Sequence, residues 1–165
     1  MYRRDRQSNI AEIIATCGGV GYLPKCPGTY GSLLALALWS IGKACFSVFF
    51  WMIFLCTAIP LGGMAILKIL RCTPEKDPSY IVVDEFLGQL LALTCIPQTT
   101  SAGLLAFLLF RLLDIKKIGA IRSLDTLSQQ TTSAKTAAIC VLGDDLLAGL
   151  CAGILVRIGW WITSL

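Results

Sequence analysis

The sequence contains no histidine. This absence excludes histidine-ligated metal sites, Ser-His-Asp triads and phosphohistidine intermediates, together with the lipid phosphatases that depend on histidine. The eight cysteines form no C-x-x-C pair, and five of them lie inside apolar runs. We therefore expect the cysteines to behave as small hydrophobic residues in a reducing compartment.

Charged residues are also scarce. They make up 15% of the 165 residues, whereas hydrophobic residues make up 56%. Soluble domains of this size have about 25% charged and about 45–50% apolar residues. The excess of apolar side chains predicts contact with a lipid bilayer. The net charge of +4 is modest, and no RNA- or DNA-binding motif accompanies it, so we expect no nucleic-acid partner.

The length fits a single domain, which we take to be residues 1–165. The first nine residues are polar, and the following apolar stretch at 10–17 is too short and too interrupted for a cleavable signal peptide. We therefore expect membrane insertion through internal helices. Four cations near the N-terminus favour a cytoplasmic location for that end of the chain: Arg3, Arg4, Arg6 and Lys25.

Long apolar tracts predict an all-α fold. Ser32–Leu70 exceeds one span of about 20 residues, and we expect breaks at Gly42-Lys43 and at Pro60–Gly63. These breaks would give one span near Ser32–Ile41 and another near Ala44–Ile59. By contrast, the glycine- and proline-containing segment Cys17–Gly31 is predicted to be a loop.

Three more apolar tracts follow, and a polar stretch separates the last two. Ile115–Lys135 is predicted to be a loop with a short amphipathic helix, and the apolar tracts are Tyr80–Ile96, Ser101–Leu113 and Ala137–Leu165. Together the tracts predict an all-α, membrane-embedded multi-helix bundle with about three or four apolar spans.

Two acidic doublets interrupt the apolar tracts, at Asp84-Glu85 and Asp144-Asp145. Ionised carboxylates in hydrocarbon are costly, and two doublets repel each other unless positive charge lies between them. Mg²⁺ takes oxygen ligands, so we predict a magnesium site formed by these four side chains. The alternative is that the acids form salt bridges with Arg111, Lys117 or Arg122, and both could hold at once.

Small residues lie one helical turn after each doublet. Gly88 follows Asp84 by four residues, and Ala148 and Gly149 follow Asp144 and Asp145. Small residues allow helix backbones to approach closely, which would bring the two doublets together. The four remaining acids in polar surroundings are expected at the solvated surface: Asp5, Glu12, Glu75 and Asp77.

Two segments could bind phosphate. In Pro27–Ser32, glycines permit unusual backbone angles, Thr29 and Ser32 carry hydroxyls, and a helix N-terminus follows. An ordinary turn with Ser32 as the helix N-cap is an equally good interpretation. In Phe110–Lys117, the cations Arg111 and Lys117 could hold phosphate while Asp114 holds metal or orients a cation. Here the alternative is a charge cluster at the membrane boundary.

Four sequence blocks occur in an order that resembles the phosphatidylglycerophosphatase A family: PGTYGS at Pro27–Ser32, VVDEFLGQ at Val82–Gln89, FRLLDIKK at Phe110–Lys117 and DDLLAG at Asp144–Gly149. The resemblance implies an all-α enzyme that hydrolyses the phosphomonoester of phosphatidylglycerophosphate with Mg²⁺. It also implies a phospholipid partner within the bilayer, and a bacterial inner-membrane protein whose site faces the cytoplasm. The family's charged motif residues fall here on Asp84, Glu85, Arg111, Asp114, Lys117, Asp144 and Asp145.

The chain departs from the family pattern at two places. The family's K-P-x-P stretch is replaced here by Lys117-Ile118-Gly119-Ala120, and its glycine-rich run before the last doublet is replaced by Ala137–Cys140.

Two other functions are alternatives to a phosphatase of this family. A cysteine phosphatase would use the C-x5-R match at Cys151–Arg157, which lies in an apolar run suited to a helix. A non-enzymatic channel or transporter with a carboxylate-lined path would explain the buried acids, but not the glycine-rich segment and the cations.

Overall fold

The computed structural model describes residues 6–73, 75, 77–117 and 119–164. Arg3, Arg4, Asp5 and Ile118 lie outside these residues, and with them the expectation of a solvated position for Asp5. The regular structure within the described ranges is entirely helical, so the all-α prediction is confirmed. A 3-10 turn at Val20–Tyr22 accompanies seven α-helices: α1 Arg6–Ala15, α2 Pro27–Gly42, α3 Val48–Leu70, α4 Val83–Thr94, α5 Thr100–Lys116, α6 Ala120–Gln130 and α7 Ala134–Thr163.

Helices α2, α3, α4 and α5 run in alternating directions between two ends of the bundle. Residues 43–47 join α2 to α3, and residues 95–99 join α4 to α5. The Lys43 ammonium donates to the hydroxyl of Thr100, the first residue of α5, at 3.0 Å, so the two connections lie at the same end of the bundle. The N-termini of α2 and α4 and the C-terminus of α5 therefore lie at the opposite end. We call that end the site end, because both sequence segments expected to bind phosphate meet the first acidic doublet there.

Glycines bring α4 and α7 into backbone contact. A Cβ atom on Gly88 would lie 2.5 Å from the Asp145 carbonyl oxygen, and a Cβ on Gly149 would overlap the Gly88 carbonyl. Further along, a Cβ on Gly153 would lie 2.9 Å from the Ala92 carbonyl oxygen. The prediction that small residues allow close approach is confirmed. Because α4 and α7 run parallel with this register, the two acidic doublets lie side by side.

This close approach gives a testable expectation for stability. Gly149→Ala should destabilise the protein by about 1–3 kcal/mol, because the added methyl meets backbone that cannot move independently. Gly159→Ala is the matched control, since it lies on the same helix with no atom within 4 Å of the added Cβ, and it should change stability by less than about 0.5 kcal/mol. Thermal unfolding in detergent compares the two. Equal stability of both variants would contradict the packing role.

Two expected helix boundaries are wrong and one is confirmed. The expected loop ends at Cys26, because Pro27 occupies the first helical position of α2, where its missing N–H costs no hydrogen bond. The expected break at Pro60–Gly63 does not occur, and α3 continues through Pro60 to Leu70. Proline removes one backbone donor there, and such a loss is tolerated in long apolar helices. The expected break at Gly42-Lys43 is present, since α2 ends at Gly42.

In the described part of the chain, two helices are long and apolar enough to cross a membrane. They are α3, with 23 residues and a mean hydropathy of 2.1 over its most apolar segment, and α7, with 30 residues and a value of 2.0. By comparison, α2, α4 and α5 have 16, 12 and 17 residues. The expected count of three or four spans stays a prediction. The short helix expected in Ile115–Lys135 is α6.

Candidate active site

A polar cavity of about 230 Å³ opens at the site end. The first turn of α2, the segment before α4, the first turn of α4, the end of α5 and the middle of α7 contribute to its lining. Six carboxylates and one ammonium group provide its charges: Asp77, Asp84, Glu85, Asp114, Asp144, Asp145 and Lys117. The described lining thus carries a large excess of negative charge, which a bound cation would offset.

Three of these acids converge closely enough to share a cation. Asp84, Glu85 and Asp145 each place a carboxylate oxygen within 4.8 Å of the others. Two ligands on opposite sides of Mg²⁺ stand about 4.2 Å apart, so small adjustments suffice. The Glu85 Oε2 atom is buried without a protein hydrogen-bond partner, which leaves it available as a ligand. Oxygen donors of this kind fit a hard divalent cation, and the expectation that an acidic cluster could hold a metal is confirmed.

Local helix geometry explains why α4 carries its acids at this place. Asp84 and Glu85 occupy the first turn of α4, where the partial positive charge of the helix N-terminus stabilises carboxylates. The Glu85 backbone N–H also donates to Asp84 Oδ1 at 3.1 Å. On α7 the Asp145 N–H donates to Asp144 Oδ1 at the same distance, which fixes the second doublet in a similar way.

Gly28 leaves the space that Glu85 occupies. A Cβ atom at Gly28 would overlap the Glu85 carboxylate, so only glycine accommodates this side chain in its present position. The backbone of Gly28 is ordinary helix, since the glycines with positive φ are Gly18, Gly19 and Gly119 among the described residues. The glycine of the first sequence block therefore provides room for a carboxylate, rather than the unusual backbone angle that we expected.

Two of the other three acids that line the cavity, Asp144 and Asp114, form ion pairs. The Lys117 ammonium donates to Asp144 Oδ2 at 3.3 Å, and Arg111 Nη1 donates to Asp114 Oδ2 at 2.5 Å. Arg111 Nη1 also lies 3.4 Å from the Ser32 hydroxyl. The salt-bridge alternative therefore applies to Asp144 and Asp114, while the close oxygen cluster consists of Asp84, Glu85 and Asp145.

Comparison with known proteins identifies the family of this chain. A profile of the family described as phosphatidylglycerophosphatase A matches residues 13–160. The chain belongs to the phosphatidylglycerophosphatase A family. The resemblance inferred from the four sequence blocks is thus confirmed, and each block contributes at least one residue to the cavity lining.

Curated relatives match almost end to end. A phosphatidylglycerophosphatase A from Haemophilus influenzae is 31% identical over 93% of this chain and 91% of its own. The Escherichia coli phosphatidylglycerophosphatase A is 31% identical over 94% and 87%. A protein named as a putative phosphatidylinositol-3-phosphatase, from Bacteroides thetaiotaomicron, is 29% identical over 95% and 98%. No solved structure matches the chain.

The residues expected to bind phosphate occupy different positions relative to the cavity of this family member. Lys117 lines the cavity, whereas Thr29, Ser32 and Arg111 do not belong to its lining. Ser32 is fully buried inside α2, where its hydroxyl donates to the Gly28 carbonyl at 2.9 Å, so the N-cap interpretation is wrong. Thr29 is half-buried in the first turn of α2. The Arg111 Nε atom is buried without a protein partner, which leaves one donor of its guanidinium group available.

Asp77 and Ser79 also line the cavity, although we expected neither of them at the site. Asp77 was assigned to the solvated surface because prolines and charged residues surround it. Its side chain is exposed, as expected, but Asp77 also contributes to the lining of the cavity. No local sequence pattern signals this placement, since it depends on where the segment before α4 lies against α7.

Burial affects ionisable groups around the site. It raises the pKa of Asp84 to about 6, and the negative charge of Asp77 adds to the rise. Burial, followed by the charges of Asp84 and Glu85, raises the pKa of the nearby Cys17 thiol to about 12. Cys17 is therefore protonated at neutral pH and is a poor nucleophile.

The C-x5-R match at Cys151–Arg157 lies within α7 rather than in a phosphate-binding loop, which argues against a cysteine phosphatase.

Proposed function

We propose that this chain is a membrane lipid phosphatase that converts phosphatidylglycerophosphate into phosphatidylglycerol and phosphate, in phospholipid biosynthesis. The observation that carries the proposal is the convergence of the Asp84, Glu85 and Asp145 carboxylates in one cavity of a chain that matches the family over residues 13–160. A phosphomonoester is itself an anion, so a cavity with six carboxylates and one ammonium would repel it without a cation.

Each charged residue has a role in this proposal. Asp84, Glu85 and Asp145 would hold Mg²⁺, and Asp144 and Asp114 would serve as further ligands or as the base that activates water. When bound, Mg²⁺ supplies positive charge that offsets the charge developing on the phosphate oxygens. Lys117 contacts the phosphate, and Arg111 orients Asp114. The buried Arg111 Nε–H has no protein partner and is the donor that we assign to the phosphate side. Thr29 and Ser32 support the phosphate side through the first turns of α2.

The overall reaction consumes one water. A water oxygen attacks phosphorus, the bond from phosphorus to the glycerol oxygen breaks, and that oxygen takes a proton to become the hydroxyl of the product. A carboxylate near the attacking water can accept its proton. Asp114 and Asp144 line the same cavity as the oxygen cluster, which supports either of them as the base.

Exposed apolar side chains support an integral membrane location. Only 28% of the most apolar segment of α3 is buried, and large side chains such as Phe49 and Met64 are mostly exposed. Contact of these apolar side chains with water would be unfavourable, whereas contact with lipid acyl chains would not be. We propose three or four spans, with α3 and α7 crossing and α2 and α5 as the further candidates. The two shorter helices are about 24–26 Å long, against about 30 Å of hydrocarbon.

The charge distribution supports a cytoplasmic site in a bacterial inner membrane. The opposite end of the bundle carries Lys43 and Arg157. The site end carries more cations: Lys25, Arg71, Lys116, Lys117 and Arg122. Loops rich in Lys and Arg stay in the cytoplasm.

Cysteine labelling tests this orientation, because the exposed residues Cys26 and Cys45 flank α2 at opposite ends. In variants that retain one of these cysteines, an impermeant maleimide should label Cys45 in intact cells, and Cys26 only after the cells are opened. Labelling of Cys26 in intact cells would contradict the cytoplasmic orientation.

Phosphate release from the purified protein tests the function. We expect phosphatidylglycerophosphate to be hydrolysed faster than phosphatidylinositol 3-phosphate, which is included because of the name of the Bacteroides relative. The reverse preference would assign the second substrate instead. Hydrolysis of neither lipid at any Mg²⁺ concentration would favour the channel or transporter alternative.

A further inference from the structure

A second, apolar groove of about 370 Å³ lies on the side of α4 that faces α3. Residues from α1, α2, α3 and α4 form it, including Leu34, Phe54, Ala58, Leu61, Val83 and Phe86. The Thr57 hydroxyl in its wall donates to the Phe54 carbonyl at 2.8 Å, and the Cys17 thiol points to the Val82 carbonyl at 3.9 Å. Both polar groups are satisfied within the protein, so the groove offers a ligand only apolar contacts.

We propose that this groove binds one acyl chain of the lipid whose phosphate enters the acidic cavity; the inference rests on the proposed function and adds a binding site for the chain.

The groove and the acidic cavity share one turn of α4. Val83 and Phe86 line the groove, while Asp84 and Glu85, between them in sequence, line the cavity. The two sites are therefore separated by about the width of one helix, roughly 10–12 Å with its side chains. In the proposed substrate, a glycerol, a phosphodiester and a second glycerol stand between the hydrolysed phosphate and the acyl chains. A chain site at this distance from the cavity matches that architecture.

The outer rim of the groove opens on the surface proposed to face lipid. Leu34 on α2 and Leu61 on α3 are 36% and 54% exposed, and α3 is one of the two candidate spans. A chain can thus enter from the bilayer without passing a polar surface. The apolar lining and its position beside the phosphate site together favour an acyl chain over a polar ligand.

The first experiment fills the groove. Ala58→Trp places an indole inside it, and Met64→Trp places the same group on the exposed surface of the same helix, outside the groove. Both proteins are compared with the parent on diacyl phosphatidylglycerophosphate and on its deacylated, water-soluble head group. We expect Ala58→Trp to lower kcat/KM for the lipid by about tenfold or more, because contacts with a few methylene groups are lost. Hydrolysis of the head group should be unchanged, and Met64→Trp should resemble the parent on both.

A parallel loss on lipid and head group, or no loss on either, would overturn the proposal. A second measurement uses the unmodified protein and no catalysis. Phosphatidylglycerol with a photoreactive diazirine on one acyl chain should cross-link mainly to residues 54–61 of α3 and 83–87 of α4, and Ala58→Trp should abolish this labelling. Labelling spread evenly over all exposed apolar helices would show bulk lipid contact only. If the parent hydrolyses neither substrate yet the cross-links concentrate in the groove, the proposed function fails while the chain site stands.

Discussion

Asp84→Asn and Asp145→Asn proteins should insert and fold like the parent, yet hydrolyse the lipid at least about a hundredfold more slowly. Each replacement keeps the shape of the side chain and removes one charged oxygen from the close cluster. Loss of a metal ligand removes several kcal/mol of transition-state stabilisation, which corresponds to this factor or more. Insertion should become easier for Asp145→Asn, because a charge within a membrane helix costs about 2.5–3.5 kcal/mol on translocon scales.

The measurement is hydrolysis of phosphatidylglycerophosphate per mole of folded protein. Glu75→Gln is the matched control, since it removes an exposed carboxylate outside the cavity and should leave turnover unchanged. Purely structural acids would give a different pattern, in which the Asn variants accumulate poorly but retain near-normal specific activity. If both Asn variants hydrolyse the lipid at the parent rate, the acidic doublets are structural and the proposed mechanism is wrong.

Exhaustive chelation should reduce turnover by a similar factor of about a hundred or more, and added Mg²⁺ should restore it. The physical reason is the charge of the cavity, where six carboxylates face one ammonium and would repel a phosphomonoester. Full activity after removal of divalent cations would refute the metal requirement.

Thermal unfolding gives a readout of metal binding that is independent of catalysis. Mg²⁺ at 100 times its dissociation constant should stabilise the parent by about 2.7 kcal/mol, because a cation that binds only the folded state shifts the unfolding equilibrium. The Asp84→Asn and Asp145→Asn proteins should show a smaller shift at the same concentration, whereas Glu75→Gln should match the parent. An equal shift in all four proteins would place the bound cation elsewhere.

Patterns among residues that are close in sequence predicted much of the fold. Apolar tracts broken by polar segments predicted an all-helical chain, and the Gly42-Lys43 boundary is present because the tract becomes polar there. The Pro60 boundary failed because a proline can mark the end of a helix or lie within it, and its neighbours in sequence do not distinguish the two. The close packing of Gly88 against α7 was predictable because small residues one turn from each doublet have few other uses in apolar helices.

By itself, the sequence determined the helical class and the family, and it predicted five of the six acids that line the cavity. These follow from composition and from motifs in a fixed order, which adjacent residues encode. Only the tertiary structure decided which acids form the carboxylate cluster and which form ion pairs: Glu85 belongs to the cluster, and Asp144 pairs with Lys117. It also decided that Gly28 makes room for Glu85 and that Asp77 lines the cavity. The reason is that such contacts depend on the register between helices distant in sequence, and side-chain packing across the bundle sets that register.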